Sequence, residues 1–520
     1  MDDDWLIHHE LEKQAYWRPD EVAIVFEDVE YTYKQLNTRV NKLSRYLRER
    51  GISEGDSVSI HGNNRMDWYT IFYACSKTGA VFSTISPRFA PTNIQYITNE
   101  LEPEVVFHTG DADILDTSLP VIKSHCLDTT EFVDIDATLE DRMADWNGTN
   151  PAWKDDRSSS TLHNIFWTSG TTGKPKGVMR DHRSALRGSD VLLNVVPFDE
   201  TNRRLTASDM MFIAPYCNWG LATLRTGGVN IILKEFSPEN IYKQINEKGA
   251  NIMSLPFSQS KILKEYLDEN GTEIEVDIIH TPIPSKEHAR ILDELSRETY
   301  NIYGTTELEV PLVKKVTPPF GNKLSLGKPG VSTDIRLVPK NKSLEDVVDS
   351  PPEPGDEGEI VCKGAITMNS YVEETHNRES VQDGWIFTGD MARVTDESEL
   401  IFIGRVDERI RSGGINIYPS EVEDVLESHP DVQTSVVVGV DDEKWGERTC
   451  ALVVPVNGND DHDTFEDELD EYCENHDALS RIKRPKGYEF VQSSKEIPTK
   501  NLEKIDRQAI RQEYFNSENR

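Results

Sequence analysis

Polar and apolar positions follow two rhythms along the first third of the chain. Thr32 and Gln35 have the spacing of a capping box, and Leu36, Val40, Leu43 and Leu47 follow at helical intervals until Gly51. SVSIH (57–61), VFSTI (81–85) and EVVFH (104–108) are short apolar runs that predict strands, and WYTIFYACSKTGA (68–80) predicts a buried helix. The alternation of strand and helix predicts layered parallel sheets. The texture returns at 241–255, whereas residues 136–160 are polar and read as irregular chain leading to a strand at NIFWTS (164–169). Residues 339–358, rich in Pro, Asp and Glu, read as a loop. Beyond about residue 404, strands at 434–440 and 449–455 mix with helices at SEVEDVLESH and FEDELDEYCENH. The expected fold is an α/β large N-terminal domain (1–404) of layered parallel sheets and helices, plus a small mobile α+β C-terminal domain (405–520).

Length agrees with more than one domain: 520 residues at roughly 150 each suggest two to four. Charge changes the picture more. There are 56 Lys and Arg against 92 Asp and Glu, a net −36 spread along the whole chain. Such a field disfavours nucleic acid and anionic membranes as partners, and any anion site must create its own positive potential. A global acidic excess suits a cytoplasm loaded with salt, where ions screen self-repulsion. No apolar run reaches the ~18 residues of a membrane span, and the acidic start MDDDWLIHHE predicts neither a signal nor a transit peptide. Six cysteines without a CxxC pair argue for a reducing compartment rather than a disulfide or zinc scaffold. His8 and His9 have no ligands at metal spacing and read as surface.

The densest chemistry is TSGTTGKPKG. Its glycines allow tight turns that aim backbone N–H groups, Thr168, Ser169, Thr171 and Thr172 add hydroxyls, and Lys174 and Lys176 add charge, a composition suited to a polyphosphate. The spacing is not that of a P-loop, since Gly170 to Lys174 is too short and Pro175 follows. YGTTE (303–307), DGW with TGD (383–390), GRVDERIRSGG (404–414) and KIDR (504–507) follow in order.

These motifs resemble, over almost the whole chain, the acyl-adenylate-forming superfamily, in its acyl-CoA synthetase branch. The resemblance implies that Thr168, Ser169, Gly170, Thr171, Thr172, Gly173, Lys174 and Lys176 bind ATP phosphates. It implies that Tyr303 stacks on the adenine, that Gly304 and Thr305 belong to the same ATP site, that Thr306 bonds to the α-phosphate and that Glu307 helps hold Mg²⁺, both of these being catalytic. Asp390 and Arg405 would take the ribose, Asp407 would be the hinge (405–408), and Lys504 would be catalytic in adenylation. Glu503 stands where the commonest pattern has glycine.

Arg88, Gly413, Gly414, Trp445, Arg484 and Lys486 match a CoA-approach set. The acyl pocket would use Tyr216, Asn218, Trp219, Gly220, His280 and Thr281. Pro215–Gly220 lacks the family's usual histidine, and HTPIP (280–284) is bulkier than the usual glycine-rich strand, which narrows the pocket. His280 reads as pocket wall rather than acid or base. The implied activity is conversion of a fatty or aromatic acid, with MgATP, to an acyl-adenylate and pyrophosphate, then to acyl-CoA and AMP with CoA as co-substrate. Loading of a carrier protein and a catalytically weakened ATP-binding relative are the alternatives. A homodimer is left open.

Overall fold

The computed structural model describes residues 4–109, 112–153, 156–168, 174–320, 324–456, 462–476, 479–500 and 504–515. The chain forms two compact units, 1–335 with 362–386 and 336–361 with 387–520. The second unit thus takes residues from both sides of the 404/405 boundary expected from the sequence.

The first unit holds two sheets. The eight-stranded one runs Glu309–Val316, Ser296–Thr305, Val276–Thr281, Ile252–Met253, Arg203–Thr206, Val229–Ile232, Val22–Phe26, Val29–Thr32, parallel in its interior and antiparallel at both edges. The seven-stranded one is parallel through Leu162–Thr168, Val81–Thr84, Ser57–His61, Val105–His108 and Glu131–Asp134, and is extended antiparallel by Lys176–Asp181 and Ser370–Tyr371. Val191, Leu192, Trp219 and Ala222, on the helices His182–Val195 and Trp219–Thr226, pack on one face of the larger sheet, against Ile252, Ile278 and Tyr300. Leu205, Ile231, Met253 and Ile279 face the other way, onto the helices Pro238–Lys248, Phe257–Asn270 and Lys286–Leu295. Strands covered on both faces need the near-continuous apolar runs seen in the sequence.

The first predicted helix is Tyr33–Glu49, with Thr32 Oγ1 accepting from Gln35 N at 3.2 Å and the Gln35 side chain answering. Two sequence readings are corrected. Within 136–160 there is a helix, Ile135–Ala144, capped by Asp134, whose three inward side chains Ile135, Leu139 and Met143 are too few to stand out in an acidic stretch. His8 is buried, not superficial: its Nδ1 lies 2.9 Å from Ser76 Oγ. It belongs to a buried histidine group with His163 and His182, whose rings are 4.6 Å apart. Burial, reinforced by nearby positive charge, holds all three well below the usual imidazole value, His163 at about 3. The six cysteines are free.

The strand Trp385–Val394, which enters the second unit at Phe387, pairs antiparallel with Leu400–Arg405. A five-stranded sheet of Ile415–Ile417, Ile410–Ser412, Gly446–Pro455, Val432–Asp442 and Tyr488–Phe490 carries the helices Pro419–Leu426 and His462–Asn475 on a core that includes Val422, Val437, Val453, Phe465 and Leu469. Among the described residues no helix is long and apolar enough to cross a membrane.

Candidate active site

The strand Ser296–Thr305 ends in the turn Thr306–Leu308 and returns as Glu309–Val316. Gly304 is required here, because a Cβ would lie 1.9 Å from Glu309 O. Glu309 holds a left-handed backbone, φ 58°, unusual for a side chain of its size. Its carboxylate is fully buried, with Oε1 2.7 Å from Nη2 of the equally buried Arg180. Burial lifts the Glu309 pKa to about 7, against the opposing pull of Arg180. Arg180 also donates to Thr306 O at 2.9 Å and Ile366 O at 2.7 Å, so one guanidinium clamps the backbone of the turn. The Tyr371 hydroxyl donates to Glu307 Oε1 at 2.9 Å.

The other half of this constellation comes from the smaller sheet. Leu162–Thr168 pairs with Lys176–Asp181, Thr168 opposite Lys176, so that the connecting loop starts at the C-terminal end of a parallel strand. Ser169, Gly170, Thr171, Thr172 and Gly173 lie outside the described residues. Lys176 Nζ sits 5.4 Å from the Tyr371 ring centroid, and Lys174 Nζ is 5.1 Å from that of Tyr96. Tyr96 donates to Glu373 Oε2 at 2.9 Å. Lys176, Tyr371 and Glu307 are therefore one cluster, although they are far apart in sequence. Tyr303, four residues before Glu307, is buried in the strand opposite Leu312.

The stretch expected to line the acyl pocket is a π-turn, Ala214–Asn218, followed by the helix Trp219–Thr226. Tyr216, Asn218, Trp219, His280 and Thr281 are buried, and the Trp219 and His280 rings stack within 5° of parallel. Burial keeps His280 well below the usual imidazole value, so it is neutral. Tyr69 donates to Pro215 O. Arg88 is largely exposed, with Nε 3.4 Å from Asp209 Oδ2.

In the second unit, Arg405 Nη1 lies 2.6 Å from Asp390 Oδ1 and its Nε 3.1 Å from Asp407 Oδ1. Burial opposes the charge on Arg405, but the two carboxylates outweigh it and raise its pKa. Gly389 N donates to Glu359 Oε1 at 2.9 Å. Gly413, at φ 54°, donates to Trp445 O at 2.8 Å, and a Cβ there would meet the indole at 2.8 Å. Gly413, Gly414 and a 41% exposed Trp445 thus form one surface feature. Arg484 instead bonds Glu474, and Lys486 bonds Arg481 O. The backbone of Lys504 pairs with Lys500 in a two-residue ladder, and its side chain lies outside the described residues. Arg507 ties that segment to Glu423 at 2.6 Å and to Glu408 at 3.4 Å.

Sequence reasoning missed Arg180, Glu309 and Tyr371. A cation at a buried position of the strand Lys176–Asp181 was a signal for the first; nothing local marked the other two.

A layered α/β body thus joins a lysine-bearing hairpin to an acidic turn, and a separate Asp–Arg pair lies in the second unit. The AMP-binding enzyme family matches residues 11–372, its C-terminal domain matches 421–501, and the chain belongs to this family. Among its relatives are the 2-succinylbenzoate–CoA ligase of Bacillus cereus, 28% identical over 96% of this chain and 97% of that one, and that of Bacillus licheniformis, 29% identical over 92% and 95%. An anthranilate CoA ligase in complex with anthranoyl-AMP superposes with TM-score 0.85 at 20% identity, covering 98% of both chains. The o-succinylbenzoate CoA synthetase of Bacillus subtilis, with its acyl-adenylate, gives 0.79 at 23%, covering 96% and 97%. At these identities the two structures speak for the fold.

Proposed function

We propose that the chain is an AMP-forming acid–thiol ligase that activates an aromatic carboxylic acid with ATP and passes the acyl group to CoA. The observation that carries this reading is the Lys176–Tyr371–Glu307 cluster, which joins the two nucleotide motifs in one place. Curated relatives named as CoA ligases of an aromatic acid support the acceptor and the substrate class, as does a stacked Trp219–His280 floor.

The acid's carboxylate attacks the α-phosphorus and pyrophosphate leaves; no covalent enzyme intermediate is needed. The chain contributes positioning and charge. Lys174, Lys176 and the loop hydroxyls balance the phosphates, and Thr306 orients the α-phosphate. Asp390 and Arg405 grip the ribose, and Lys504 bridges the acid and the α-phosphate. Glu307 fits a hard divalent cation, since it offers carboxylate oxygens on a half-buried turn and Tyr371 fixes one of them. Mg²⁺, when bound, neutralises phosphate charge. For thioester formation the segment bearing Lys504 withdraws and the Gly413–Gly414 loop with Trp445 takes its place, the chain turning at Asp407. CoA sulfur then attacks the acyl carbon and AMP leaves.

The test is mass spectrometry of the protein with MgATP, CoA and a panel of aromatic and fatty acids in molar KCl. Aryl-CoA together with AMP is expected. Acyl-adenylate that accumulates without thioester would replace CoA with a carrier protein, and the absence of both products across the panel would refute the reading.

A further inference from the structure

The segment that bears Lys504 is held at its base. Thr499 and Lys500 pair antiparallel with Ile505 and Lys504, and Asp506 N donates to Pro498 O at 2.8 Å. Asp506 also accepts from Gln508 N and Ala509 N, each at 3.1 Å, and so starts the helix Arg507–Tyr514. Ile510 is fully buried with Val436, Val438 and Leu452, which seats that helix on the strands Val432–Asp442 and Gly446–Pro455. Apolar burial has no direction of its own, whereas a guanidinium with several fixed partners sets both position and angle.

Arg507 supplies such a fork at the first residue of the helix. Its side chain is 22% exposed and meets partners on three sides. Nη1 and Nη2 reach the two oxygens of Glu423, at 2.6 and 3.3 Å, and Nη1 also donates to Val437 O at 2.9 Å. Nε lies 3.4 Å from Glu408 Oε2. Glu423, on the helix Pro419–Leu426, is itself fixed, because it also accepts from Val437 N at 2.7 Å. Burial opposes the charge on Arg507, but Glu423 and Glu408 outweigh it and raise its pKa, so the fork stays charged.

Glu423 and Val437 would suffice to anchor the helix. Glu408 adds a different link, because it follows Asp407 directly. These adjacent carboxylates are held from opposite directions along the chain: Asp407 by Arg405, which also reaches Asp390, and Glu408 by Arg507. A chain that turns at Asp407 keeps Asp407 with Arg405 and Asp390, and takes Glu408 with the helix that follows Lys504. We infer that Arg507 is a positioning residue for Lys504, resting on the ligase reading and its hinge: it locks the lysine-bearing segment to the first residue beyond the pivot, so that each turn of the hinge returns the lysine to one place.

Pyrophosphate exchange and thioester formation from preformed acyl-adenylate are measured separately on the full chain with the panel of aromatic and fatty acids. Wild type is compared with Arg507→Met, Arg507→Lys, Glu408→Gln and Lys504→Ala, and melting temperatures are recorded for each. Arg507→Met should lower kcat of adenylation about 10- to 100-fold and leave KM for ATP and the thioester step within about twofold of wild type, because a misplaced Lys504 costs only the step that uses it. Arg507→Lys should recover part of the loss, since it keeps the charge but not the fork. Glu408→Gln should lower the same half-reaction by less, and should cost nothing further in the Arg507→Met background. In the Lys504→Ala background, Arg507→Met should change adenylation no further. If Arg507→Met does not fold, Arg507→Lys and Glu408→Gln carry the comparison, with smaller losses confined to adenylation. Equal loss in both half-reactions, or a lower melting temperature with adenylation intact, makes Arg507 a structural anchor and overturns the inference. A further fall in the Lys504→Ala background overturns it as well, because Arg507 would then act by another route. No adenylate from wild type with any acid of the panel would refute the ligase reading itself, and the inference with it.

Discussion

Replacing Arg180 by methionine keeps much of the volume and removes the charge. Three contacts go: the N–H to Thr306 O at 2.9 Å, the N–H to Ile366 O at 2.7 Å, and the 2.7 Å pair with a fully buried Glu309. Removing one partner of a buried pair costs about 3–5 kcal/mol, because the other is left without compensation. The orphaned carboxylate limits that cost by taking up a proton. Even with Arg180 present its pKa rises from 4.5 to about 7. A carboxyl raised on folding contributes stability that is complete below its unfolded value and lost as pH rises through the folded one, here about 3 kcal/mol between pH 4.5 and 7. Without Arg180 the folded value climbs further and the loss continues above pH 7, at up to about 1.4 kcal/mol per pH unit. Urea unfolding of wild type, Arg180→Met and Arg180→Met/Glu309→Gln at pH 6 and pH 8 reads this directly. The single variant should be about 3–5 kcal/mol less stable at pH 8 and less affected at pH 6. The double variant should recover about half of the loss, since its carboxylate is gone but two carbonyls stay unpartnered. A deficit under about 1 kcal/mol, or one of equal size at both pH values, would refute the argument. Pyrophosphate exchange should fall with Arg180→Met, because the turn carrying Thr306 and Glu307 loses its clamp.

Other perturbations separate other parts of the argument. His163 is depressed to about 3 mainly by burial, so its stabilising contribution is present above pH 6.5 and fades as pH falls; about 2 kcal/mol should go between pH 6.5 and 5, and His163→Gln should flatten that slope in denaturant titrations. Lys504→Ala should reduce adenylation at least 100-fold yet leave thioester formation from preformed acyl-adenylate largely intact, measured as two separate half-reactions; equal loss in both would contradict the role given to Lys504. Asp407→Pro should spare one half-reaction and impair the other, and unchanged overall turnover would remove Asp407 from the hinge. With a net charge of −36, the melting temperature should rise from dilute buffer to molar KCl; a flat profile would mean that self-repulsion is not limiting.

The ordered motifs made the class of enzyme legible in the sequence, because TSGTTGKPKG and YGTTE are contiguous: the residue types such chemistry needs stand side by side in the chain. The layered α/β body was equally legible, since strands covered on both faces need unbroken apolar runs, and SVSIH, VFSTI and EVVFH are such runs. The helix Ile135–Ala144 was not, because three apolar side chains in an acidic background make too weak a period.

What only the tertiary structure decided is pairing across the chain. No local pattern says that Arg180 clamps the turn at Thr306, that Tyr371 joins Lys176 to Glu307, or that His8 sits under Ser76. Nor could the sequence distinguish Arg180, which has its carboxylate, from Arg204, which has none among the described residues. Both are arginines in short strands. The difference lies in which distant side chains the two sheets and their helices bring within a few ångströms, and a buried charge is stabilised or left unsatisfied by those neighbours rather than by its place in the chain.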